Sequence, residues 1–212
     1  MGSKSYWDYL VEDGRTYQMG KQIHRIYLLR MLKKLGVKSF LDVGCGTGPL
    51  YEILMDSNLR EYLPITEYKG VDYSEGMIKV CEAKFPEGDF EVQDARMLKE
   101  DNQSWDAVTL MHCLDHLDDY EAAIKEAARV ARKYVVIILW RPLTTSGENN
   151  LNNKNNYGRE EGEWEDTHLQ EYSRERLLNA FSDAGLALEL QYNGLDINSG
   201  NTSNTLFLLK KK

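Results

Sequence analysis

Three glycines at alternate positions, Gly44, Gly46 and Gly48, constrain the fold of this chain more than any other feature. A short apolar run before them predicts a strand over 39–43, and Pro49 opens a segment with apolar residues at helical spacing. Glycine is used where the backbone takes positive φ or approaches a ligand closely. A helix that starts here offers free N–H groups and a positive dipole end. The pattern predicts a strand, a tight turn and a helix that suit a nucleotide-type ligand.

The residues in and around the turn discriminate between two kinds of nucleotide ligand. The dinucleotide fingerprint G-x-G-x-x-G requires a third glycine where Pro49 stands. Asp42, within the motif, would repel a pyrophosphate and suits a cationic group of a ligand. An NAD-dependent oxidoreductase stays an alternative, but both residues argue against it.

Composition excludes several classes of function. The chain has 212 residues with 34 acidic and 26 basic side chains, a net charge of −8, which argues against a nucleic-acid-binding surface. No apolar run approaches the length of a membrane span, and the N-terminus lacks an apolar signal segment. The three cysteines are odd in number and form no C-x-x-C, so we expect neither a disulfide framework nor a metal site. A cytoplasmic location is the expectation.

Beyond the turn, apolar runs alternate with segments of helical periodicity. Strands are predicted over 39–43, 67–72, 90–92, 105–111 and 134–140, helices over 17–35, 48–55, 74–84, 119–132 and from 174 to about 185, and a terminal hairpin over 186–192 and 205–209. Ser74 is the predicted N-cap of its helix and Gly36 the predicted C-cap of the first. The fold class is therefore α/β: a Rossmann-like, doubly wound sheet of seven strands, mostly parallel with a terminal antiparallel hairpin, after an N-terminal helical extension.

Four motifs carry a resemblance to a known family. D-V-G-C-G-T-G over 42–48 resembles motif I of the class I S-adenosylmethionine-dependent methyltransferases, and the segment 72–77 resembles their D-x-S-x-x-M. Asp94-Ala95 and the segment 105–117 follow in the family's order and spacing. The resemblance implies one methyltransferase domain over 1–212, with 1–36 as a lid, 37–212 as the core and 141–170 as a substrate-side insertion. A mobile surface loop is the alternative for that insertion.

The resemblance also implies which residues bind S-adenosylmethionine, whose product is S-adenosylhomocysteine. An acid such as Asp72 holds the ribose hydroxyls, and one such as Asp94 accepts from the adenine amine. The full set of expected cofactor residues is Asp42, Gly44, Cys45, Gly46, Gly48, Asp72, Tyr73, Met77, Asp94, Ala95 and Met111. The alternative for Cys45 as a reactive thiol is a small packing residue, which we favour.

The implied reaction is methyl transfer to an oxygen or nitrogen of a small-molecule acceptor. The D/N-P-P-Y and Pro-Cys motifs of nucleic-acid methyltransferases are absent. A protein methyltransferase and a non-catalytic S-adenosylmethionine-binding protein stay open. Candidate substrate residues are Tyr6, Trp7, Tyr17, His112, Arg141, Trp164 and His168, and candidate catalytic residues are His112, His116 and Tyr17. For His116 a structural role is favoured, and for the N-terminal aromatic residues packing on the sheet edge is an equal alternative.

Overall fold

A computed structural model describes residues 23–56, 65–140, 143–144, 150–151, 170–193 and 204–212 of the chain. Within them the helices are α1 (Ile23–Lys34), α2 (Pro49–Met55), α3 (Glu75–Lys84), α4 (Tyr120–Val130) and α5 (Arg174–Asp183). The strands are β1 (Ser39–Val43), β2 (Glu67–Asp72), β3 (Phe90–Val92), β4 (Trp105–Met111), β5 (Ala131–Leu139), β6 (Asn150–Leu151), β7 (Gln170–Glu171), β8 (Leu186–Asn193) and β9 (Thr205–Lys211). A short 3₁₀ turn, Leu114–His116, follows β4.

Seven of these strands form one sheet in the order β3-β2-β1-β4-β5-β9-β8. The pairs from β3 to β5 are parallel, and β9 runs antiparallel to both of its neighbours, β5 and β8. The predicted fold class is thus confirmed. The strand order reverses between β1 and β4, and in open α/β sheets ligands bind at that point, outside the carboxyl ends of the strands.

Helices cover both faces of the sheet because β1, β4 and β5 are apolar on both sides. One apolar cluster joins Phe40 of β1 and Val136 of β5 to α1, α2 and α3. A second cluster joins Leu41 and Leu110 to α4 and α5. All five side chains of β1 are buried, including Asp42, which therefore lies inside the protein at the end of the strand.

The helix ends follow the predicted capping chemistry. Gly36 has a φ of 68°, and the N–H groups of Gly36 and Val37 donate to the carbonyls of Lys33 and Leu32, which is a Schellman arrangement. The Ser74 hydroxyl accepts from the Met77 N–H at 3.1 Å, as predicted for an N-cap. The α5 helix begins after Ser173 without a side-chain cap bond from that residue.

Two predicted boundaries are wrong around β5. The predicted helix 119–132 ends at Val130, and the predicted strand 134–140 begins earlier, at Ala131. The prediction ends the helix at Arg132, but the side chains of Arg132 and Lys133 both pair with Asp106 of the neighbouring strand, at 2.9 and 3.1 Å. These ion pairs accompany the pairing of Ala131 with Trp105 and a β-bulge beside it.

Six of the predicted site residues lie outside the described part of the chain, and one short strand was not predicted. Tyr6, Trp7, Tyr17, Arg141, Trp164 and His168 lie outside the described residues. The segment 141–170 contains β6, which pairs with β7 and which its polar composition did not indicate. Within the described part of the chain, no helix is long and apolar enough to cross a membrane.

Candidate active site

The glycine turn lies at the carboxyl end of β1 and is held by backbone hydrogen bonds to β2. Gly44 and Cys45 both donate to the Val71 carbonyl, at 2.8 and 3.0 Å. Gly44, Gly46 and Gly48 have φ values of 77°, 57° and 75°, so all three occupy the left-handed region that favours glycine. Gly48 precedes α2, whose first residue is Pro49, one residue after the predicted start at 48.

Asp72 joins this turn to the start of α3. One carboxylate oxygen, Oδ2, accepts from the Gly46 N–H at 2.9 Å, and the other, Oδ1, accepts from the Ser74 N–H at 2.9 Å. The side chain is partly exposed at the carboxyl end of β2. Each carboxylate oxygen thus accepts from one backbone N–H, and the two bonds fix the plane of the carboxylate.

Asp42 lies beneath the turn and is 3% exposed. Its carboxylate accepts from the Thr109 hydroxyl at 2.9 Å and the Tyr68 hydroxyl at 3.1 Å. Burial raises its pKa to about 6, against the effects of these hydrogen bonds and of the Arg25 charge, which lower it. Burial likewise lowers the pKa of Arg25 to about 10, and Asp42 opposes that shift. The hydrogen-bond partners of Asp42, Thr109 and Tyr68, thus lie in the protein interior.

Tyr73 and Asp94 line a cavity of about 470 Å³ at the carboxyl ends of β2 and β3. Val92 and Met97 contribute apolar surface, and the volume is in the range of small-ligand sites. Asp94 is also paired with Arg96, whose guanidinium donates to its Oδ2 at 2.7 Å and whose backbone N–H donates to its Oδ1 at 2.9 Å. These bonds and the Arg96 charge hold the pKa of Asp94 below its usual range, against the opposing effect of burial.

The remaining predicted cofactor residues are mainly buried. Met77 and Met111 are 3% and 7% exposed, and Ala95 is 9% exposed. Cys45 is buried, and burial raises the pKa of its thiol well above the ordinary value. A thiol of that kind is unreactive, in keeping with the packing role favoured from the sequence.

His112 follows β4 directly and adopts a φ of 55°, unusual for a residue other than glycine. Its N–H donates to the Ile138 carbonyl of β5 at 2.7 Å. Its ring contacts that of His24 on α1, with centroids 4.8 Å apart, and that of Trp140 after β5, with centroids 5.0 Å apart. The structure thus brings one predicted candidate together with two side chains that the sequence did not indicate.

The second candidate histidine, His116, ends the 3₁₀ turn Leu114–His116. The neighbouring Asp115 is fully buried, and its carboxylate accepts from the Trp140 backbone N–H at 3.0 Å. The Tyr172 hydroxyl donates to the Leu114 carbonyl at 2.6 Å. These bonds tie the turn after β4 to the end of β5 and to the segment before α5.

Sequence reasoning missed His24, Arg25, Arg96 and Trp140. A signal for one of them was present. Arg25 precedes Leu28, Leu29 and Leu32 at helical spacing, so a cation stands in the apolar stripe of α1 and is buried there. A buried cation requires a partner, and the charge of the buried Asp42 acts on Arg25.

Comparison with known proteins defines the class. The family model described as "Methyltransferase domain" matches residues 13–191, and the chain belongs to this family. The predicted membership of the S-adenosylmethionine-dependent methyltransferases is thereby confirmed, and S-adenosylmethionine is the cofactor of that class.

The matches to curated relatives span only part of each relative's length. The chain is 31% identical over 119 residues to "Ubiquinone/menaquinone biosynthesis C-methyltransferase UbiE" of Campylobacter jejuni, covering 56% of this chain and 49% of the relative. It is 32% identical over 115 residues to "Demethylmenaquinone methyltransferase" of Staphylococcus aureus, covering 51% of this chain and 46% of the relative. The chain therefore spans about half the length of the curated relatives that it matches.

Solved structures share the fold over nearly the whole chain. An S-adenosylmethionine-dependent methyltransferase from Clostridium acetobutylicum is 16% identical with a TM-score of 0.68, covering 98% of this chain and 99% of that one. Magnesium protoporphyrin IX methyltransferase from Synechocystis, with bound S-adenosylmethionine, is 16% identical with a TM-score of 0.64, covering 93% and 83%. At this identity the likeness establishes the fold alone.

Proposed function

We propose that this chain is an enzyme that transfers a methyl group from S-adenosylmethionine to a small-molecule acceptor. The observation that carries the proposal is the Asp72 carboxylate, which is fixed against the glycine turn by one backbone N–H on each oxygen. A carboxylate presents two acceptor oxygens in one plane, and a ribose diol offers two hydroxyl donors.

The residues around the turn fit the cofactor. A Cβ built on Gly46 has no heavy atom within 4 Å, so the backbone there borders open space that a ligand could occupy. The cavity lined by Tyr73 and Asp94 offers apolar surface beside a carboxylate, which suits a purine with an exocyclic amine. The Asp94 carboxylate would accept hydrogen bonds from both that amine and the Arg96 guanidinium.

The protein's contribution to the reaction is binding and orientation. When bound, S-adenosylmethionine supplies an electrophilic methyl group on a sulfonium. Asp72 would hold the ribose and thereby set the distance between the methyl group and the acceptor. Arg25 of α1 and Asp42 of β1 are close enough for each charge to affect the pKa of the other, and α1 also brings His24 against His112.

For the acceptor atom we propose oxygen or nitrogen of a small molecule. Carbon is the second candidate, because one relative is named a C-methyltransferase. We further propose that residues 1–36 form a lid on a core of 37–212 within one domain, that 141–170 contributes to the substrate site, and that the protein acts in the cytoplasm.

Calorimetric titration with S-adenosylmethionine tests the cofactor site, using wild type, Asp72→Ala and Glu82→Ala. Glu82 is exposed on α3, so its variant has the same net charge as Asp72→Ala and is the matched control. A hydrogen bond to a charged group contributes about 1.5–3 kcal/mol. Loss of two should weaken binding at least ~100-fold in Asp72→Ala, with wild-type affinity in Glu82→Ala.

The outcomes separate the possible roles. No binding by the wild type at millimolar cofactor would overturn the proposal. Binding without methyl transfer to any small acceptor or peptide would indicate a non-catalytic binding protein, and transfer to peptides alone would indicate a protein methyltransferase. Mass spectrometry of the methylated product distinguishes oxygen, nitrogen and carbon as the accepting atom. Thermal melting of Asp72→Ala controls for the loss of its two backbone contacts.

A further inference from the structure

Arg96 lies beside the carboxylate that faces the cavity at the carboxyl ends of β2 and β3. Of the residues that the structure describes, Asp94 and Met97 line this cavity and Arg96, between them in the sequence, does not. The Met97 N–H donates to the Asp94 carbonyl at 2.9 Å, so residues 94–97 form a tight turn. The Asp94 carboxylate therefore has the cavity on one side and the Arg96 side chain on another.

The Arg96 guanidinium contacts both oxygens of that carboxylate. Its Nε donates to Oδ1 of Asp94 at 3.0 Å, and its Nη2 donates to Oδ2 at 2.7 Å. The Arg96 backbone N–H also donates to Oδ1, at 2.9 Å. Paired donors of this kind match the plane of a carboxylate and form some of the stronger hydrogen bonds in proteins. Arg96 thus fixes both the position and the plane of the Asp94 carboxylate.

The guanidinium also reaches a second acid. Its Nη1 lies 3.4 Å from Oδ1 of Asp118, which stands in the loop before α4. The Asp118 side chain is mostly exposed, so this ion pair contributes little by itself. The contact between Arg96 and Asp94 differs, because both side chains are partly buried and the geometry is bidentate. That geometry is the one in which an ion pair near the surface has a measurable effect.

A fixed carboxylate discriminates between ligands more strongly than a mobile one. An aspartate without such a partner rotates readily about its terminal bond, so it can turn away from a ligand group that it repels. Burial would raise the pKa of Asp94, but the bonds from Arg96 hold that pKa below its usual range. At neutral pH the Asp94 carboxylate therefore only accepts hydrogen bonds. It favours a ligand with an N–H donor at this place and opposes one with a carbonyl oxygen there.

We propose that Arg96 is a positioning residue, which acts through Asp94 to make the site select adenine over a 6-oxo purine such as hypoxanthine. This inference rests on the proposed methyltransferase function, in which the adenine amine meets Asp94. The amino group at C6 of adenine donates to the fixed carboxylate. Hypoxanthine has an oxygen at C6, so two acceptors face each other and the hydrogen bond is not made. Without Arg96 the carboxylate turns towards water, and the penalty for the 6-oxo group falls.

Calorimetric titration with S-adenosylhomocysteine and S-inosylhomocysteine tests this role without any acceptor. The two ligands differ only in the group at C6 of the purine and the proton on N1. A hydrogen bond to a charged group corresponds to about 10–100-fold in affinity, so the wild type should prefer S-adenosylhomocysteine by that factor. In Arg96→Met and Arg96→Lys the preference should fall to about 2–10-fold, the range of an ordinary hydrogen bond. Lysine keeps the charge but lacks the planar pair of donors, and it carries the test if the Met variant does not fold.

Arg129→Met is the matched control, with the same change of net charge as Arg96→Met. Arg129 donates to the carbonyls of Leu98 and Glu100, at 2.9 and 2.8 Å, so it supports the segment that follows the turn. Its loss should lower the Tm and leave the preference between the two ligands unchanged. In an Asp94→Ala background the preference should be about one. Adding Arg96→Met there should not change it, because Arg96 acts through Asp94.

A preference that stays at the wild-type level in both Arg96 variants would overturn the inference, even if both ligands lose affinity equally, because the role of Arg96 would then be structural support. A wild type without a preference would overturn it as well, as would a further effect of Arg96→Met in the Asp94→Ala background. Failure of the wild type to bind S-adenosylmethionine and S-adenosylhomocysteine would instead overturn the proposed function, so the two failures are distinguishable.

Discussion

Alanine at two positions of the glycine turn should separate steric cost from backbone strain. A Cβ on Gly44 would lie 2.8 Å from the Cβ of Cys113 and 3.0 Å from its Sγ, whereas a Cβ on Gly46 meets no heavy atom within 4 Å. Both glycines have positive φ, so the strain of a left-handed alanine, about 1–2 kcal/mol, applies to both. Alanine also lowers the conformational entropy of the unfolded chain relative to glycine, and this effect is the same in both variants.

The difference between the variants therefore measures the contact with Cys113. Overpacking of a close contact costs about 1–3 kcal/mol, so Gly44→Ala should be less stable than Gly46→Ala by that amount. Urea unfolding followed by tryptophan fluorescence and circular dichroism gives both free energies of unfolding. The clash is with the Cβ of Cys113, so Cys113→Gly should recover part of the loss in the Gly44→Ala background.

Equal free energies of unfolding for Gly44→Ala and Gly46→Ala would refute this reasoning, as would a double-mutant cycle without coupling between positions 44 and 113. Binding of S-adenosylmethionine provides a second comparison. The open space at Gly46 predicts that Gly46→Ala weakens cofactor binding by more than its small loss of stability explains. Titration calorimetry at a temperature where both variants are folded measures that effect.

Two further predictions concern buried polar groups. The pKa of Asp42 is about 6 in the native state, above its unfolded value, so protonated Asp42 stabilises the fold at low pH and this contribution is lost as pH rises through 6. Between pH 4.5 and 7 the wild type should lose about 2 kcal/mol relative to Asp42→Asn, and parallel pH dependences in urea unfolding would contradict this. Tyr172→Phe removes the bond to the Leu114 carbonyl, which also accepts from the Leu117 N–H, so the loss should be only about 1 kcal/mol. The exposed Tyr192→Phe is the control, and equal stability of the two variants would count against the role of the bond.

Local chemistry made much of the fold predictable. The C-cap at Gly36 and the N-cap at Ser74 are encoded within a few residues, and both were found where they were predicted. Asp72 could be singled out as well, because an acid at the end of the second strand has a recognised geometric use. The error around Arg132 arose because its pairing with Asp106 is a contact across the sheet, invisible to helical periodicity.

The acceptor side of the site was less predictable for the same reason. The ring of His112 is in contact with the rings of His24 and Trp140, which come from two separate parts of the chain. No local pattern relates these positions, and a lone histidine on a helix is ordinarily a surface or core residue. Only the order of the strands and the packing of α1 on the sheet bring them together.

The order of the strands β5-β9-β8 has a consequence for assembly. β8 precedes β9 in the chain, yet β9 lies between it and the rest of the sheet, with Phe207 and Leu209 in the apolar core. β8 therefore cannot join the sheet before β9 has been synthesised, because β9 is its neighbour in the sheet. The parallel part of the sheet can form as it is made, whereas the last two strands must enter together, as a hairpin that closes the exposed edge of β5.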